Sequence, residues 1–249
     1  RIFLILSFFV TALIYASVGF GGGSTYNALL ILLDIDYRAI PIIALICNLI
    51  VVAGSCIKHQ KLNMIPWKYV LPCIFVSMPF AFLGGNTQVD KEVFVIVLAV
   101  VLILSGMTMM MNHNPIKLFS DHIDSKIGKA IVYVTSSILG YIAGLVGIGG
   151  GIFFAPILHL TQTLPVRIIP AFTSFFILAN SLAGLAGQMI KNHSVGNSSI
   201  KPEYLWLFIA VFLGGQLGSH LGLKFINSDI IRRMTAVLVI YVGCRLLII

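Results

Sequence analysis

The sequence predicts an all-α polytopic membrane protein made of two inverted repeats, each a glycine-broken helix pair followed by three transmembrane helices. Three observations carry this expectation: a composition too apolar for a water-facing surface, apolar segments long enough to cross a bilayer, and a glycine cluster that occurs twice. Of 249 residues, 59% are hydrophobic and 10% charged, with a mean hydropathy of +1.03. Soluble domains average about 25% charged residues, so most of this surface is expected to face lipid.

Apolar segments lie near 2–18, 24–33, 39–57, 66–83, 92–110, 130–147, 152–160, 168–190, 204–223 and 230–249. Polar and turn residues separate them at 34–36, 58–61, 84–86, 112–129 and 191–201. A helix needs roughly 20 residues to span the hydrocarbon core, and backbone exposed to lipid must bond to itself, so these segments are expected to be helical. Trp67 with Tyr69, and Tyr204 with Trp206, open their segments at the depth of an aromatic belt. The first segment resembles a signal peptide, but the apolar pattern continues behind it, so it reads as a membrane segment. A multi-pass protein of the cell membrane is expected.

The net charge of +8 is spread over short runs such as Lys58-His59-Gln60-Lys61. That pattern belongs to membrane interfaces, where Lys and Arg snorkel and collect in cytoplasmic loops, and not to a nucleic-acid surface. If each glycine-broken pair returns to its starting side, one face gathers Lys58, Lys61, Lys68, Lys117, Lys126, Lys129, Arg167, Lys224, Arg232 and Arg233 and is cytoplasmic; eight simple spans would reverse this. Cys47, Cys56, Cys73 and Cys244 form no C-x-x-C pair and no metal-ligand spacing, so they read as small buried hydrophobes. Neither a cofactor nor a metal is expected.

The repeat is the most informative feature. Gly19-Phe20-Gly21-Gly22-Gly23 recurs as Gly147-Ile148-Gly149-Gly150-Gly151, and Arg38-Ala39-Ile40-Pro41 as Arg167-Ile168-Ile169-Pro170. Pro66 beside Trp67 then answers to Pro202 near Trp206. These ordered matches divide the chain into a first membrane repeat, 1–111, a connecting loop, 112–128, and a second repeat, 129–249. The stretch 2–33 as one helix would reach about 48 Å, at 1.5 Å per residue, against a core of roughly 30 Å. The glycines are expected to break it. Each pair then returns to its starting side, three further crossings make an odd count, and the halves lie inverted.

The glycine clusters admit three readings. A dinucleotide-binding G-x-G-x-x-G fails, because Ser24 and Ile152 stand where its third glycine belongs and no strand–helix–strand unit surrounds either copy. Close helix packing through small residues is the bland reading. The functional reading is a broken membrane helix whose freed N–H groups and positive dipole end face a cavity, an arrangement suited to an anion. Paired breaks at corresponding positions of two halves favour a transporter site.

The segment Gly144-Leu145-Val146-Gly147-Ile148-Gly149-Gly150-Gly151, followed by Ala155-Pro156, resembles the signature of the TauE/SafE sulfite exporter family, the TSUP group. Ser17-Val18-Gly19-Phe20-Gly21-Gly22-Gly23 fits the same pattern, as do the R-x-x-P starts of the following spans. The resemblance covers essentially the whole chain. It implies export of small anionic sulfur compounds such as sulfite, sulfoacetate or related organosulfonates. Asn27-Ala28 stands where the second copy has Ala155-Pro156, so the two half-sites are expected to differ chemically.

The expected substrate-binding set is Gly21, Gly22, Gly23, Ser24, Thr25 and Asn48 from the first half, with Gly149, Gly150, Gly151, Thr173, Ser174 and Asn180 from the second. Asn27 is a lesser candidate. Thr173 and Asn180 stand two helical turns apart and share a face. Interhelical hydrogen bonding explains such residues equally well. Asp34, Asp36, Asp90, Glu92, Glu203 and Asp229 all lie at segment ends, which argues against a carboxylate proton relay; His159 and His220 remain as titratable groups in the spans. The partners expected are a small anionic sulfur compound and the lipid bilayer, with a homodimer left open. A channel or importer is the rival within transport. An intramembrane enzyme is the rival from another class, and the absence of H-E-x-x-H, G-x-S-x-G and paired intramembrane aspartates tells against it.

Overall fold

The computed structural model describes residues 2–33, 35–110, 126–160, 164, 168–195, 202–221 and 228–248. The helices are α1 (Ile2–Val18), α2 (Gly23–Leu32), α3 (Ile40–Lys61), α4 (Trp67–Asn86), α5 (Lys91–Met110), α6 (Lys126–Val146), α7 (Gly151–Leu160), α8 (Ile169–Val195), α9 (Leu205–Leu221) and α10 (Ser228–Ile248). Among the described residues there is no strand. Helices α3, α4, α5, α6 and α8 are each long and apolar enough to cross a membrane. The polarity is that of a lipid-facing protein: Phe75 is 76% exposed, while Asn27, Asn48, Asn180 and Gln188 are fully buried. The chain is an all-α, multi-pass membrane protein.

Both glycine clusters break a helix. Helix α1 stops at Val18 and α2 starts at Gly23; α6 stops at Val146 and α7 starts at Gly151. Helices α2 and α7 have 10 residues each, about 15 Å at 1.5 Å per residue, half the thickness of the hydrocarbon core. In α2 every residue from Gly23 to Leu30 is buried.

The remaining helices wrap these short ones in matched pairs. Helix α1 packs on α9, α6 on α4, α5 on α10, and α3 on α8. Glycines set the close approaches and reveal direction. The space a side chain would take at Gly214 and Gly218 is filled by Phe9 O and Leu13 O, so α1 and α9 run parallel. Ser77 O and Ala81 O fill the same space at Gly140 and Gly144, so α4 and α6 run parallel too. Helix α8 also runs parallel to α4, with Trp67 against Phe175 at one end and Gly85 against Gly184 at the other. Val51 facing Gly215 and Lys58 reaching Ser219 make α3 and α9 parallel.

Some expected loops are helix. Helix α3 continues through Lys58-His59-Gln60-Lys61, where Lys58 Nζ donates to Ser219 O at 3.0 Å and so satisfies a carbonyl near the C-terminus of α9. Helix α4 continues through Gly84-Gly85-Asn86, because these glycines let the backbones of α6 and α8 approach, at Tyr141 O and Gly184 O. Helix α8 reaches Val195. Of the expected connecting loop, 112–128, residues 112–125 lie outside the described residues and 126–128 open α6 as helix; Arg167 and the His159 side chain also lie outside the described residues.

Candidate functional site

Each break is built from backbone conformations that glycine alone adopts without strain. Gly19 ends α1 with φ 84°; Phe20 N–H donates to Tyr15 O at 3.0 Å and Gly19 N–H to Ala16 O at 3.4 Å, a Schellman termination. Gly22, φ 83°, caps α2, and the Thr25 and Tyr26 N–H groups return to Gly22 O at 3.0 Å. In the second break Gly147 (φ 84°) ends α6, and Gly149 (φ 79°) and Gly150 (φ 75°) lead into α7. There Gly147 N–H donates to Ala143 O at 2.9 Å, the simpler single-bond cap.

The halves close each other's helix ends. Ser174 Oγ on α8 donates to Gly19 O at 3.0 Å. Asn48 Nδ2 on α3 donates to Gly147 O at 3.1 Å, and Asn27 Nδ2 on α2 to Val146 O at 2.8 Å. These carbonyls belong to the last helical residue, Val146, or to the glycine just past a helix end, where no intrahelical donor reaches. The same crossing brings Gly19 onto Pro170 and Gly147 onto Pro41.

Asn48 is where the breaks meet. A Cβ on Gly21 would overlap Asn48 Oδ1; one on Gly23 would lie 2.8 Å from Asn48 Nδ2 and 2.8 Å from Gly147 O; one on Gly149 would lie 3.1 Å from Asn48 Nδ2 and 3.4 Å from Ser181 Oγ. Of the expected set, Gly21, Gly23, Asn48 and Gly149 therefore converge, with Gly147 added. Gly151 adjoins them, its Cβ position 2.5 Å from Ile177 and 3.3 Å from Thr173 O. Gly22 and Gly150 point elsewhere: a Cβ there would meet the Tyr15 ring at 3.2 Å and, for Gly150, Leu139 O and the Phe176 ring at 3.2 Å.

The hydroxyl and amide candidates divide. Thr25 Oγ1 pairs with Tyr15 OH at 2.8 Å. Thr173 Oγ1 donates to Ile169 O at 3.0 Å, and Asn180 Nδ2 to Phe176 O at 2.9 Å, both within α8. Among the described residues, the Ser24, Tyr26 and Ser181 hydroxyls and the Asn27, Asn48 and Asn180 Oδ1 atoms are buried without a hydrogen-bond partner. A buried unpaired polar atom costs about 1–3 kcal/mol; of these residues, Asn48 and Ser181 adjoin the break glycines, and Asn27 holds Val146 O at the end of α6. The N–H groups of the first two residues of α2 and α7 add donors that the helix cannot satisfy internally, those of Thr25, Tyr26, Phe153 and Phe154 being taken up by Gly22 O and Gly150 O. Sequence reasoning passed over Ser181 and ranked Asn27 low. Ser181 stands two turns from Ser174 on the same face of α8, which was a usable signal; nothing local singled out Asn27.

The sulfite exporter TauE/SafE family model matches residues 4–246. The probable membrane transporter protein y4hK of Sinorhizobium fredii is 30% identical over 98% of this chain and 97% of its own length. A probable membrane transporter protein of Methanocaldococcus jannaschii is 25% identical over 89% of this chain and 86% of its own. The probable membrane transporter protein YunE of Bacillus subtilis is 31% identical over 49% of this chain and 41% of its own. No solved structure matches. With its helix breaks, its buried polar crossing and a family match over nearly its whole length, the chain belongs to the sulfite exporter TauE/SafE family of membrane transporters.

Proposed function

We propose that the chain is a secondary transporter exporting small sulfur-containing anions, namely sulfite, sulfoacetate or related organosulfonates, through a site between the two glycine breaks. The observation that carries this reading is the convergence of Gly21, Gly23, Gly147 and Gly149 on Asn48. The N-termini of α2 and α7 begin at that convergence and carry positive dipole ends and free N–H groups, which favour an anion.

The packing directions support two inverted repeats, 1–111 and 129–249. Helix α4 runs parallel to α8, while α4's counterpart α9 runs parallel to α3. Alternating access by rocking one repeat against the other follows naturally from such an architecture. The unpaired acceptors Asn27 Oδ1 and Asn48 Oδ1, together with the unpaired hydroxyl of Ser24 next in the chain to Gly23, favour an anion that still carries a proton, such as hydrogensulfite, which both donates and accepts. A site without a fixed cation releases its anion readily. An inside-negative potential of 100 mV favours outward movement of each negative charge by about 2.3 kcal/mol, so uniport suffices.

The test is flux through the purified chain in liposomes under an imposed voltage, with sulfite, sulfate, sulfoacetate, taurine and chloride compared. Voltage-driven sulfite or sulfoacetate flux well above that of chloride is expected. Chloride conduction outpacing every sulfur compound would replace the exporter with an anion channel.

A further inference from the structure

A second feature of the molecule lies outside the glycine crossing. A cavity of about 200 Å³ opens between α4, α6, α7 and α8, lined by Lys68, Tyr69, Lys129 and Tyr133 toward its mouth and by Phe154 and Phe172 among its inner residues. Lys68 and Lys129 are exposed and lie at the starts of parallel neighbouring helices, so both stand at the same membrane face. Among the described residues that line the cavity none is acidic. The first turns of α4, α6 and α8 carry no acidic residue either. A lysine at a helix N-terminus adds positive charge to an end whose dipole is already positive, against the usual preference for carboxylates there. Local rules broken in one place without visible compensation point to function.

The inner wall connects this cavity to the crossing. Phe154 and Phe172 stack with centroids 5.1 Å apart, and Phe176 lies 4.9 Å from Phe154. Phe176 in turn lies 3.2 Å from the Cβ position of Gly150 in the second break. One aromatic stack therefore lies between the cavity and the outer side of the second glycine break.

We propose that this cavity is a water-filled anteroom that concentrates soluble anions, with Lys68 and Lys129 as its counter-charges, on the route to the glycine crossing. Its use in transport rests on the exporter reading, while its anion selectivity does not. Snorkelling lysines obeying the positive-inside rule would sit at the same membrane face, but lysines pointing away into the headgroups would not govern the chemistry of a half-buried residue in the cavity wall.

Val132 is such a residue. The full chain carrying Val132→Cys, with Cys47, Cys56, Cys73 and Cys244 changed to Ala, is reconstituted in phosphatidylcholine vesicles. It is reacted at low ionic strength with a sulfonate-bearing and a trimethylammonium-bearing methanethiosulfonate. A charged cleft raises the local concentration of its counter-ion by about tenfold or more, so the anionic reagent is expected to react about tenfold faster. Adding Lys68→Gln and Lys129→Gln should bring the ratio close to unity. A ratio unmoved by the two lysine substitutions, or no reaction with either reagent, overturns the proposal. So does protection of the cysteine from an uncharged methanethiosulfonate when phosphatidylglycerol is included, because a lipid headgroup would then hold the cavity. Sulfite flux in the same vesicles separates the two readings: selective labelling without flux leaves the anteroom standing and removes the exporter, and flux without selective labelling removes the anteroom alone.

Discussion

The two glycine breaks share left-handed glycines at the helix end and the helix start and differ in chemistry. Each ends its first helix on a glycine at φ 84° and starts the second after a glycine at positive φ. The first break is followed by Ser24, Thr25 and Asn27, and the second by Ile152, Phe153 and Ala155. The helices that seal them differ as well: α3 places Asn48 against the second break, whereas α8 places Ile177 there. The polar side chains come largely from the first half, and the carbonyls they hold, Val146 O and Gly147 O, come from the second. The two breaks thus share a frame of glycine turns, while two amides of the first half close the second break and one hydroxyl of the second half closes the first.

The largest effect is expected where a methyl group meets backbone. Gly147→Ala forces φ 84° on an alanine and sets its Cβ 2.7 Å from Pro41 O, so it should cost well over the roughly 1 kcal/mol of a left-handed alanine. Gly19→Ala meets the Pro170 side chain at 2.9 Å and should cost less. Thermal melting in detergent measures both, and equal losses would show that the two breaks are energetically equivalent after all.

Next come the glycines that face Asn48. Gly21→Ala and Gly23→Ala should cut sulfite flux at least tenfold while lowering the melting temperature less than Gly147→Ala does. Gly22→Ala, whose methyl would meet Tyr15 and Thr11 instead, should mainly destabilise. Flux falling equally in all three variants would mean that the glycines serve packing alone.

Asn48→Ala and Ile177→Ala then test the asymmetry directly. Membrane hydrogen bonds average about 0.6 kcal/mol, so Asn48→Ala should lose little stability yet weaken sulfite-induced thermal stabilisation severalfold. Ile177→Ala should retain that shift and lose stability by cavity formation. The reverse pattern would move the site into the second half.

The smallest effects belong to Thr173→Ala and Asn180→Ala. Both side chains bond to carbonyls of their own helix, so melting temperatures should stay close to wild type. A modest loss of sulfite affinity is expected, greater for Asn180→Ala, whose Oδ1 is unpaired. Affinity equal to wild type in both would confine the site to the residues around Asn48.

Legibility followed the range of the physics. Apolar run length placed the helices within a few residues, and it erred at Lys58 to Lys61 and Gly84 to Asn86, where polar or glycine-rich sequence looks like a loop. Tertiary partners kept both segments helical: Ser219 O received the Lys58 ammonium, and Tyr141 and Gly184 filled the space beside the glycines. The candidate glycines were visible as a repeat, but which of them share a centre was not. Gly21 and Gly22 are neighbours in the chain, and the Cβ position of one faces Asn48 while that of the other faces Tyr15.

The sequence by itself determined the membrane class, the positions of both helix breaks and the family, because composition, apolar run length and glycine's backbone freedom are local properties that survive without knowledge of neighbours. The tertiary structure alone decided which polar atoms meet. Asn48 and Gly147 are 99 residues apart, Asn27 and Val146 are 119 apart, and Ser174 and Gly19 are 155 apart. No local preference selects such partners. They are selected when glycine-lined helices approach closely enough for a side chain of one half to reach the bare carbonyls at the helix end of the other.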